Sequence, residues 1–96
     1  MTLTVIAKLR AKPGQEEILF EACHKLIEPT RKEEGCINYD MFRSTDDPGT
    51  FMFYENWESR PLWEQHMKSP HLTAFSSQTD GMSDLWELFT GDAVTP

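Results

Sequence analysis

The chain has 96 residues, which suffices for one domain with its own hydrophobic core and is too short for two. Nine basic residues stand against 16 acidic ones, a formal net charge of −7, which argues against a general nucleic-acid binder and against attraction to an anionic membrane surface. An apolar fraction of 39%, with 11% aromatic residues, is typical of a globular protein rather than a disordered one.

Neither the cysteines nor the hydrophobic segments indicate an exported or membrane-bound protein. Cys23 and Cys36 form no paired motif, so we expect two reduced thiols. The opening segment MTLTVIAKLR lacks the basic start and the long apolar stretch of a signal peptide. No segment approaches the roughly 18 apolar residues that a membrane span requires. We therefore expect a cytoplasmic protein with no membrane partner.

The first third of the chain predicts a strand followed by a helix. Residues 3–11 alternate apolar and polar side chains and include β-branched residues, as in a half-buried strand. Pro13 and the glycine after it end this strand, and two glutamates then suit the positive end of a helix. Apolar residues recur at helical spacing up to Ile27, and Pro29 predicts a kink or an end of the helix. Gly35 marks the end of the segment.

The middle of the chain predicts a β-hairpin. Residues 36–44 and 50–58 are both predicted to be strands, and the Asp-Asp-Pro-Gly sequence between them is typical of a turn. In the first strand, Ile37, Tyr39 and Met41 are expected to share one face. The second strand carries large apolar side chains on both faces, which a strand covered on one side only would not need.

The last third predicts two short helices and a final strand. Ser59 and Ser69 can each cap a helix, and a proline follows each serine within the first turn. Gly81 ends the second helix, and residues 83–90 alternate as a last strand. The side chains expected to pack inwards from the two helices are Leu62, Trp63, His66, Met67, Leu72 and Phe75.

The order strand-helix-strand-strand-helix-strand predicts an α+β, ferredoxin-like βαββαβ fold with a four-stranded antiparallel sheet. Residues 1–96 are expected to form a single domain, with its core over about residues 2–90. Helices cover one face of such a sheet, and the other face must be solvated or covered by a partner. The apolar side chains expected on that other face are Met52, Tyr54, Trp86 and Leu88. A face of this kind favours a homodimer that packs sheet on sheet.

Three histidines are candidates for acid–base chemistry or metal binding. His24 lies mid-helix, where a surface position is expected. His66 lies one helical turn after Leu62, so it is either a hydrogen-bonded core residue or a pocket acid or base. His71 follows Pro70 in the first turn of a helix, where it caps, packs or meets a ligand. The spacing from His66 to His71 spans the proline break, and with no third ligand apparent we predict no metal site.

Glu55 is the most informative polar residue of the predicted hairpin. It lies between Phe53 and Trp57 on one strand face, and a carboxylate within an aromatic stripe is costly unless it is paired or hydrogen bonded. It is therefore either part of a structural ion pair or a pocket carboxylate that orients a histidine or binds a substrate hydroxyl. Tyr39, on the neighbouring strand, either packs in the core or offers its phenol to the same space.

None of the common nucleotide, phosphate or hydrolase motifs occurs in the sequence. Three stretches, TLTVIAKLRAKPGQEE, KEEGCINY and FYENWESRPLWEQHMKSPHLTAF, resemble the antibiotic biosynthesis monooxygenase superfamily and, more narrowly, its bacterial quinol monooxygenase branch. The resemblance covers about residues 2–90. Its most specific part is formed by Glu55, Trp57, Ser59, Leu62, His66, Ser69 and His71.

The resemblance implies a dimeric α+β barrel with a ligand cleft between each sheet and its helices. It also implies that O2 oxidises a small hydroxylated aromatic, a quinol or polyphenol, without metal or flavin, because the substrate supplies the electrons. This chemistry needs a base for the phenolic proton and a hydrogen-bond donor near the peroxide that forms. The catalytic candidates are His66 as base and Tyr39 as donor, and the substrate-binding candidates are Glu55 as orienting carboxylate, Trp57 as aromatic wall, Phe53 and His71.

The sequence also bears on other functions within and beyond this family. Haem-degrading relatives carry Asn, Trp and His where this sequence has Ala7, His66 and Ser76, so haem oxygenation is not expected. An isomerase of a small phosphorylated carbonyl signalling molecule has a similar pattern, but it would need basic residues in the cleft. Lys8 and Arg10 alternate away from the apolar face of their strand, which disfavours that activity. A non-catalytic dimer that binds a small ligand is the third alternative.

Overall fold

Four strands joined by short helices make up the computed structural model, which describes residues 2–96. The strands are β1 (Leu3–Ala11), β2 (Cys36–Arg43), β3 (Thr50–Trp57) and β4 (Ser83–Gly91), and the helices are α1 (Glu16–His24), α2 (Ile27–Arg31), α3 (Arg60–Met67) and α4 (Pro70–Gln78). The strands form one antiparallel sheet in the order β2-β3-β1-β4. The predicted α+β, ferredoxin-like fold is confirmed.

The core lies between one face of the sheet and the helices. Alternate residues of β1 are buried because the strand alternates apolar and polar side chains, and they pair with buried residues of β3. Helices α1 and α3 bring further apolar side chains to the same face. Well-buried members of this core are Leu3, Val5, Leu9, Leu19, Cys23, Phe51, Phe53 and Trp57.

Two serine caps position the helices that follow β3. The hydroxyl of Ser59 accepts a hydrogen bond from the backbone N–H of Leu62, and that of Ser69 accepts one from Leu72, both at 3.4 Å. A proline lies in the first turn of each helix, where its missing N–H leaves no bond unmade. The predicted caps are confirmed. The chain therefore leaves α3 and begins α4 within two residues, through the extended backbone of Ser69.

The break in the first helical segment comes earlier than predicted. Helix α1 ends at His24, and α2 begins at Ile27 after a C-cap at Lys25. Pro29 is the third residue of α2, and the N–H of a third helical residue has no acceptor within the helix. Proline is therefore tolerated there, and the expected kink or end at Pro29 is wrong.

A β-bulge near the start of β2 overturns the predicted face of Ile37. Cys36 pairs with Trp57, but Asn38 pairs with Asn56, so Ile37 is the extra residue of the bulge. Its side chain is 52% exposed. The bulge instead keeps Cys36 on the same side of the sheet as Tyr39.

Trp86 and Leu88 of β4 lie on the opposite face of the sheet from the one predicted. Trp86 pairs with Leu9 and Leu88 pairs with Ala7, and directly paired residues of antiparallel strands project from the same face. Because Ala7 and Leu9 face the helices, Trp86 and Leu88 face them too. The prediction that both line the helix-free face is therefore wrong.

The helix-free face still carries large apolar side chains. Met52 and Tyr54 lie on it, as predicted, because they pair with the alternate residues of β1 that point away from the core. The exposed apolar or aromatic side chains on this face are Phe42, Met52, Tyr54 and Phe89.

No helix within residues 2–96 is long and apolar enough to cross a membrane.

Candidate active site

His66 lies on the buried face of α3 and is 2% exposed. Its ring centroid is 4.8 Å from that of Trp57 and 5.6 Å from that of Tyr39, which meets it edge-on. Burial lowers the pKa of His66 below its usual 6.5, although the hydrogen bond and charge of Glu33 act in the opposite direction. The ring is therefore neutral at neutral pH and can accept a proton.

The carboxylate that orients His66 is Glu33, which the sequence did not single out. Its Oε2 lies 2.6 Å from Nδ1 of His66 and 2.8 Å from Nε2 of His71, so it accepts an N–H bond from each ring. A bond at Nδ1 fixes the tautomer of the neutral imidazole, which leaves Nε2 of His66 as the proton acceptor. Glu33 thus has the orienting role that the sequence suggested for Glu55.

Gly35 brings the segment with Glu33 against α3. Its φ of +89° lies in the left-handed region, and a Cβ at this position would lie 2.5 Å from Cδ1 of Leu62. The carbonyl of Gly35 accepts a 2.8 Å hydrogen bond from the backbone N–H of Glu58, which ties the segment to the end of β3. Only glycine allows both the turn and the close approach, and Glu33 thereby reaches His66.

Glu33, His66 and His71 are the one group in the described part of the chain whose possible metal-ligating atoms lie within 4.8 Å of one another. The spacing of the two histidines predicted no shared site, but the turn at Ser69 brings His71 back to Glu33. The N···O distances of 2.6 and 2.8 Å are those of hydrogen bonds. Two ligands of one tetrahedral zinc ion would lie about 3.3 Å apart. The geometry is therefore that of a hydrogen-bonded cluster.

Glu55 is a buried carboxyl group on β3, directly opposite Tyr39 on β2. It is 4% exposed, and its Oε1 accepts a 2.9 Å hydrogen bond from the indole N–H of Trp57. Within residues 2–96 it forms no ion pair and no hydrogen bond to a histidine. Burial raises the pKa of Glu55 to about 7, against the effect of the Trp57 bond, and the charge of Glu33 raises it further. The suggested structural ion pair is therefore not formed.

Tyr39 packs between the sheet and α3, with its ring centroid 5.1 Å from that of Phe53. Burial strongly raises the pKa of its phenol, and the carboxyl of Glu55 acts in the same direction. The phenol therefore keeps its proton and can only donate or accept a hydrogen bond. The hydroxyl of the fully buried Thr30 acts on the pKa of Tyr39 in the opposite direction.

A narrow pocket lies between the helix-facing side of the sheet and helices α3 and α4. Its polar lining consists of Tyr39, Glu55 and His66, and its other walls are apolar or aromatic, including Phe53. The enclosed space is about 30 Å³, room for one or two water molecules. Within residues 2–96, no lysine or arginine lines it. The pocket is thus apolar, with three polar groups at its wall.

Trp86 and Leu88 lie at the mouth of this pocket, on the edge strand β4, and are 54% and 42% exposed. Of the predicted site residues, Trp57 lies behind Glu55 and His66 rather than in the lining, and His71 lies beyond Glu33. A wider groove beside α2 and β2 is open to solvent and includes His24, but in the described part of the chain it includes none of the predicted catalytic or substrate-binding residues.

Comparison with known proteins supports the resemblance stated above. The family model described as Antibiotic biosynthesis monooxygenase matches residues 2–78. The chain is 33% identical to the Escherichia coli protein named "Probable quinol monooxygenase YgiN", over 82% of this chain and 86% of that protein. It is 29% identical to protein sll1783 of Synechocystis over 76% of this chain, and it spans half of that relative's length.

Solved structures show the same fold. PA3566 from Pseudomonas aeruginosa matches with a TM-score of 0.93 at 28% identity, covering 98% of this chain and 95% of that one. Rv0793 from Mycobacterium tuberculosis matches with a TM-score of 0.92 at 26% identity, covering 100% and 98%. The predicted family and fold are confirmed.

Proposed function

The chain belongs to the antibiotic biosynthesis monooxygenase family, and from this membership and the geometry of its pocket we propose that it oxidises a small hydroxylated aromatic, a quinol or polyphenol, with O2 and without a bound cofactor. The observation that carries the proposal is the position of His66. Its ring lines an aromatic pocket, and its Nδ1–H is held by Glu33. A buried, neutral and oriented imidazole is the base that this chemistry requires.

The proposed reaction begins when Nε2 of His66 takes the phenolic proton. The imidazolium that forms is stabilised by the carboxylate of Glu33 at Nδ1. The phenolate gives one electron to O2, and the resulting radical pair recombines to form the carbon–oxygen bond of a peroxide. Loss of water then leaves the quinone, so that the phenol and O2 yield quinone and water. Tyr39, which keeps its proton, is the proposed hydrogen-bond donor to the reduced oxygen.

The electrostatics of the pocket favour an uncharged substrate. Its lining, within the described residues, holds a carboxyl group and no basic side chain. Lys8 pairs with Met52 and Glu87 on the helix-free face, and Arg10 bonds Asp84. A phosphate group would therefore lie near Glu55 with no cation to offset it. This disfavours the phosphorylated-carbonyl isomerase and favours a neutral aromatic alcohol.

An aromatic ring needs more space than the enclosed 30 Å³, so the side chains at the mouth must turn outwards when substrate enters. Trp86 and Leu88 lie on an edge strand and are about half exposed, and Met67 on α3 is unbranched and 39% exposed. These three side chains can move without disturbing the core. The proposed substrate then fills the space between them and His66.

We further propose a cytoplasmic homodimer joined through the helix-free face of the sheet. Phe42, Met52, Tyr54 and Phe89 give that face an exposed apolar surface. Both cysteines are free, as suits a reducing compartment. Sedimentation at micromolar concentration should give about twice the chain mass of 11.1 kDa. A monomer, or a dimer that persists after Tyr54→Arg together with Phe89→Arg, would refute this interface.

Oxygen uptake with a panel of hydroquinones, catechols and larger polyphenols tests the proposed activity. We expect uptake that depends on the protein, with quinone formation followed by its absorbance, and no loss of turnover after treatment with a chelator. A panel of sugar phosphates and dicarbonyls, followed by NMR, tests the isomerase. Turnover of that second panel, or binding of phenols with no oxygen uptake, would reject the oxygenase in favour of one of the two alternatives.

A further inference from the structure

Glu55 is the one polar group of the pocket lining that the reaction proposed above leaves without a role. Its place as orienting carboxylate is taken by Glu33, which bonds His66 directly. Glu55 nevertheless lines the pocket and is almost completely buried, and within residues 2–96 it accepts a hydrogen bond only at Oε1, from Trp57. Burying a carboxyl group in an aromatic pocket is costly, so its presence there indicates a role beyond packing.

The surroundings of Glu55 favour the neutral acid. The groups that face it are the indole N–H of Trp57 on its own strand, Tyr39 and Cys36 on β2, Glu33 in the segment before β2 and His66 on α3. Within the described residues none of these is a lysine or an arginine, and Glu33 adds negative charge. Consistent with this, burial places the pKa of Glu55 at about 7, where a carboxyl group can both give and take a proton.

We propose that Glu55 is a second catalytic acid–base group, which protonates the peroxide formed on the substrate and then removes the proton from the peroxide-bearing ring carbon, so that water is eliminated. This proposal rests on the proposed oxygenase function. The two groups lie on two walls of the pocket and act in two different steps. His66 on α3, the helix wall, acts on the hydroxyl. Glu55 on β3, the sheet wall, acts at the carbon that is oxidised.

The atoms and electrons of this sequence balance. After recombination the ring carbon bears one hydrogen and a peroxide anion, and His66 carries the former phenolic proton. Glu55 as the acid gives its proton to the terminal peroxide oxygen and becomes a carboxylate. The carboxylate then removes the hydrogen of the ring carbon as a proton. The electrons of that C–H bond form the carbonyl, the O–O bond breaks, and the hydroxide that leaves takes the proton of His66 to become water. Both groups return to their starting states.

A single base cannot serve both steps well, which supports two groups. The phenolic oxygen and the oxidised carbon lie on different parts of the substrate ring, and His66 is still protonated at this stage, so it cannot be the base that removes the proton of the ring carbon. Trp57 links the two groups, because its ring packs on His66 and its indole N–H bonds Glu55. Trp57 therefore fixes the position of Glu55 on the sheet relative to that of His66 on α3.

The first arm of the test does not depend on turnover. Infrared difference spectra between wild type and Glu55→Gln should show the carbonyl band of a protonated carboxyl group at pH 6, and this band should disappear as the pH rises past about 7. Glu55→Gln keeps the size of the side chain and an acceptor for Trp57. Near-UV circular dichroism checks that the variant is folded. An ionised Glu55 at pH 6 would overturn the proposal whatever the protein oxidises.

The second arm measures product against oxygen on the best substrate of the panel. In Glu55→Gln we expect quinone formation to fall roughly 10²–10⁴-fold, while oxygen uptake falls less and peroxide accumulates. Glu55→Asp should restore part of the quinone yield, since it keeps the acid. Glu64→Gln, on the exposed side of α3, is the matched control and should change neither quantity.

The outcomes separate this proposal from the proposed function. If wild type takes up no oxygen with any phenol, the oxygenase fails, and the donor role of Glu55 fails with it. If wild type forms quinone and Glu55→Gln forms it at the same rate without peroxide, only the role of Glu55 is overturned. Loss of quinone with accumulation of peroxide in a folded Glu55→Gln variant supports both.

Discussion

The two walls of the pocket hold their ionisable groups in different ways. On the helix wall, His66 is buried but has a partner, because Glu33 accepts its Nδ1–H at 2.6 Å. On the sheet wall, Glu55 is equally buried, and its hydrogen-bond partner within the described residues is a neutral indole N–H at 2.9 Å. Burial therefore favours the uncharged form of both groups, so that the histidine is ready to accept a proton and the carboxyl to donate one.

Replacing the base of the helix wall should have the largest effect on activity. His66→Ala is expected to lower kcat roughly 10²–10⁴-fold, because the phenolic proton loses its acceptor. Steady-state oxygen uptake on the best substrate measures this effect, and near-UV circular dichroism checks the fold. His24→Ala on the exposed side of α1 is the matched control and should change kcat little. A folded His66→Ala variant with full turnover would make His66 a structural residue.

Glu55 and His66 should also make the free energy of unfolding depend on pH in opposite directions. The folded-state pKa of Glu55 is raised from 4.5 to about 7, so the folded state binds the extra proton and stability falls as the pH rises through that window, by about 3 kcal/mol. The pKa of His66 is lowered from 6.5, so the unfolded state binds the extra proton and stability falls as the pH drops below about 6.5.

Urea unfolding at a series of pH values measures both effects. Glu55→Gln should remove the loss of stability between about pH 4.5 and 7, and His66→Gln should remove the loss below about 6.5. If Glu55→Gln does not change how the free energy of unfolding varies between about pH 4.5 and 7, the carboxyl group of Glu55 is not protonated in the folded protein. Glu55 and His66 would then not differ in the way described here.

Removing the charge of Glu33 tests whether this carboxylate orients His66. Glu33→Gln is expected to lower kcat roughly 10–100-fold, because the imidazolium of His66 loses its counter-ion. It should also lower the pKa of His66 further, since Glu33 raises it, and the acidic limb of the pH–rate profile should move to lower pH. Glu34→Gln, the exposed neighbour, is the control. An unchanged limb would show that Glu33 does not act on His66.

The smallest expected effect is on the free energy of unfolding and comes from Gly35, whose backbone conformation places Glu33 next to His66. Gly35→Ala should cost about 1–3 kcal/mol, because its φ is +89° and its Cβ would lie 2.5 Å from Leu62. Chemical denaturation measures this cost. Gly81→Ala is the control, since its φ is +78° but nothing lies within 4 Å of its Cβ. Equal costs for the two variants would mean that the close contact with α3 has no effect.

The sequence predicted those features of the molecule that depend on local signals. Ser59 and Ser69 begin helices because a hydroxyl can satisfy a free N–H, and the position of His66 follows from helical spacing. The alternation of β4 also showed that Trp86 and Leu88 share a face. Which face they share depends on the pairing with β1, which alternation does not specify.

Glu33 was missed because nothing near it in sequence marks it. It lies in a run of charged residues, Lys-Glu-Glu, that resembles an exposed turn, and its partners are 33 and 38 residues away. The signal that could have found it is Gly35, whose left-handed φ and contact with Leu62 bring the turn to α3. The bulge at Ile37 is likewise a property of strand pairing, and no local pattern indicates it.

Nitrogen-15 NMR of the histidine rings in the resting protein shows directly whether His66 is a neutral base, with its proton on Nδ1 held by Glu33 and its Nε2 free. At pH 7.5 we expect a protonated Nδ1 and an unprotonated Nε2 for the signal that disappears in His66→Gln. A proton on Nε2, or a charged ring at this pH, would contradict it.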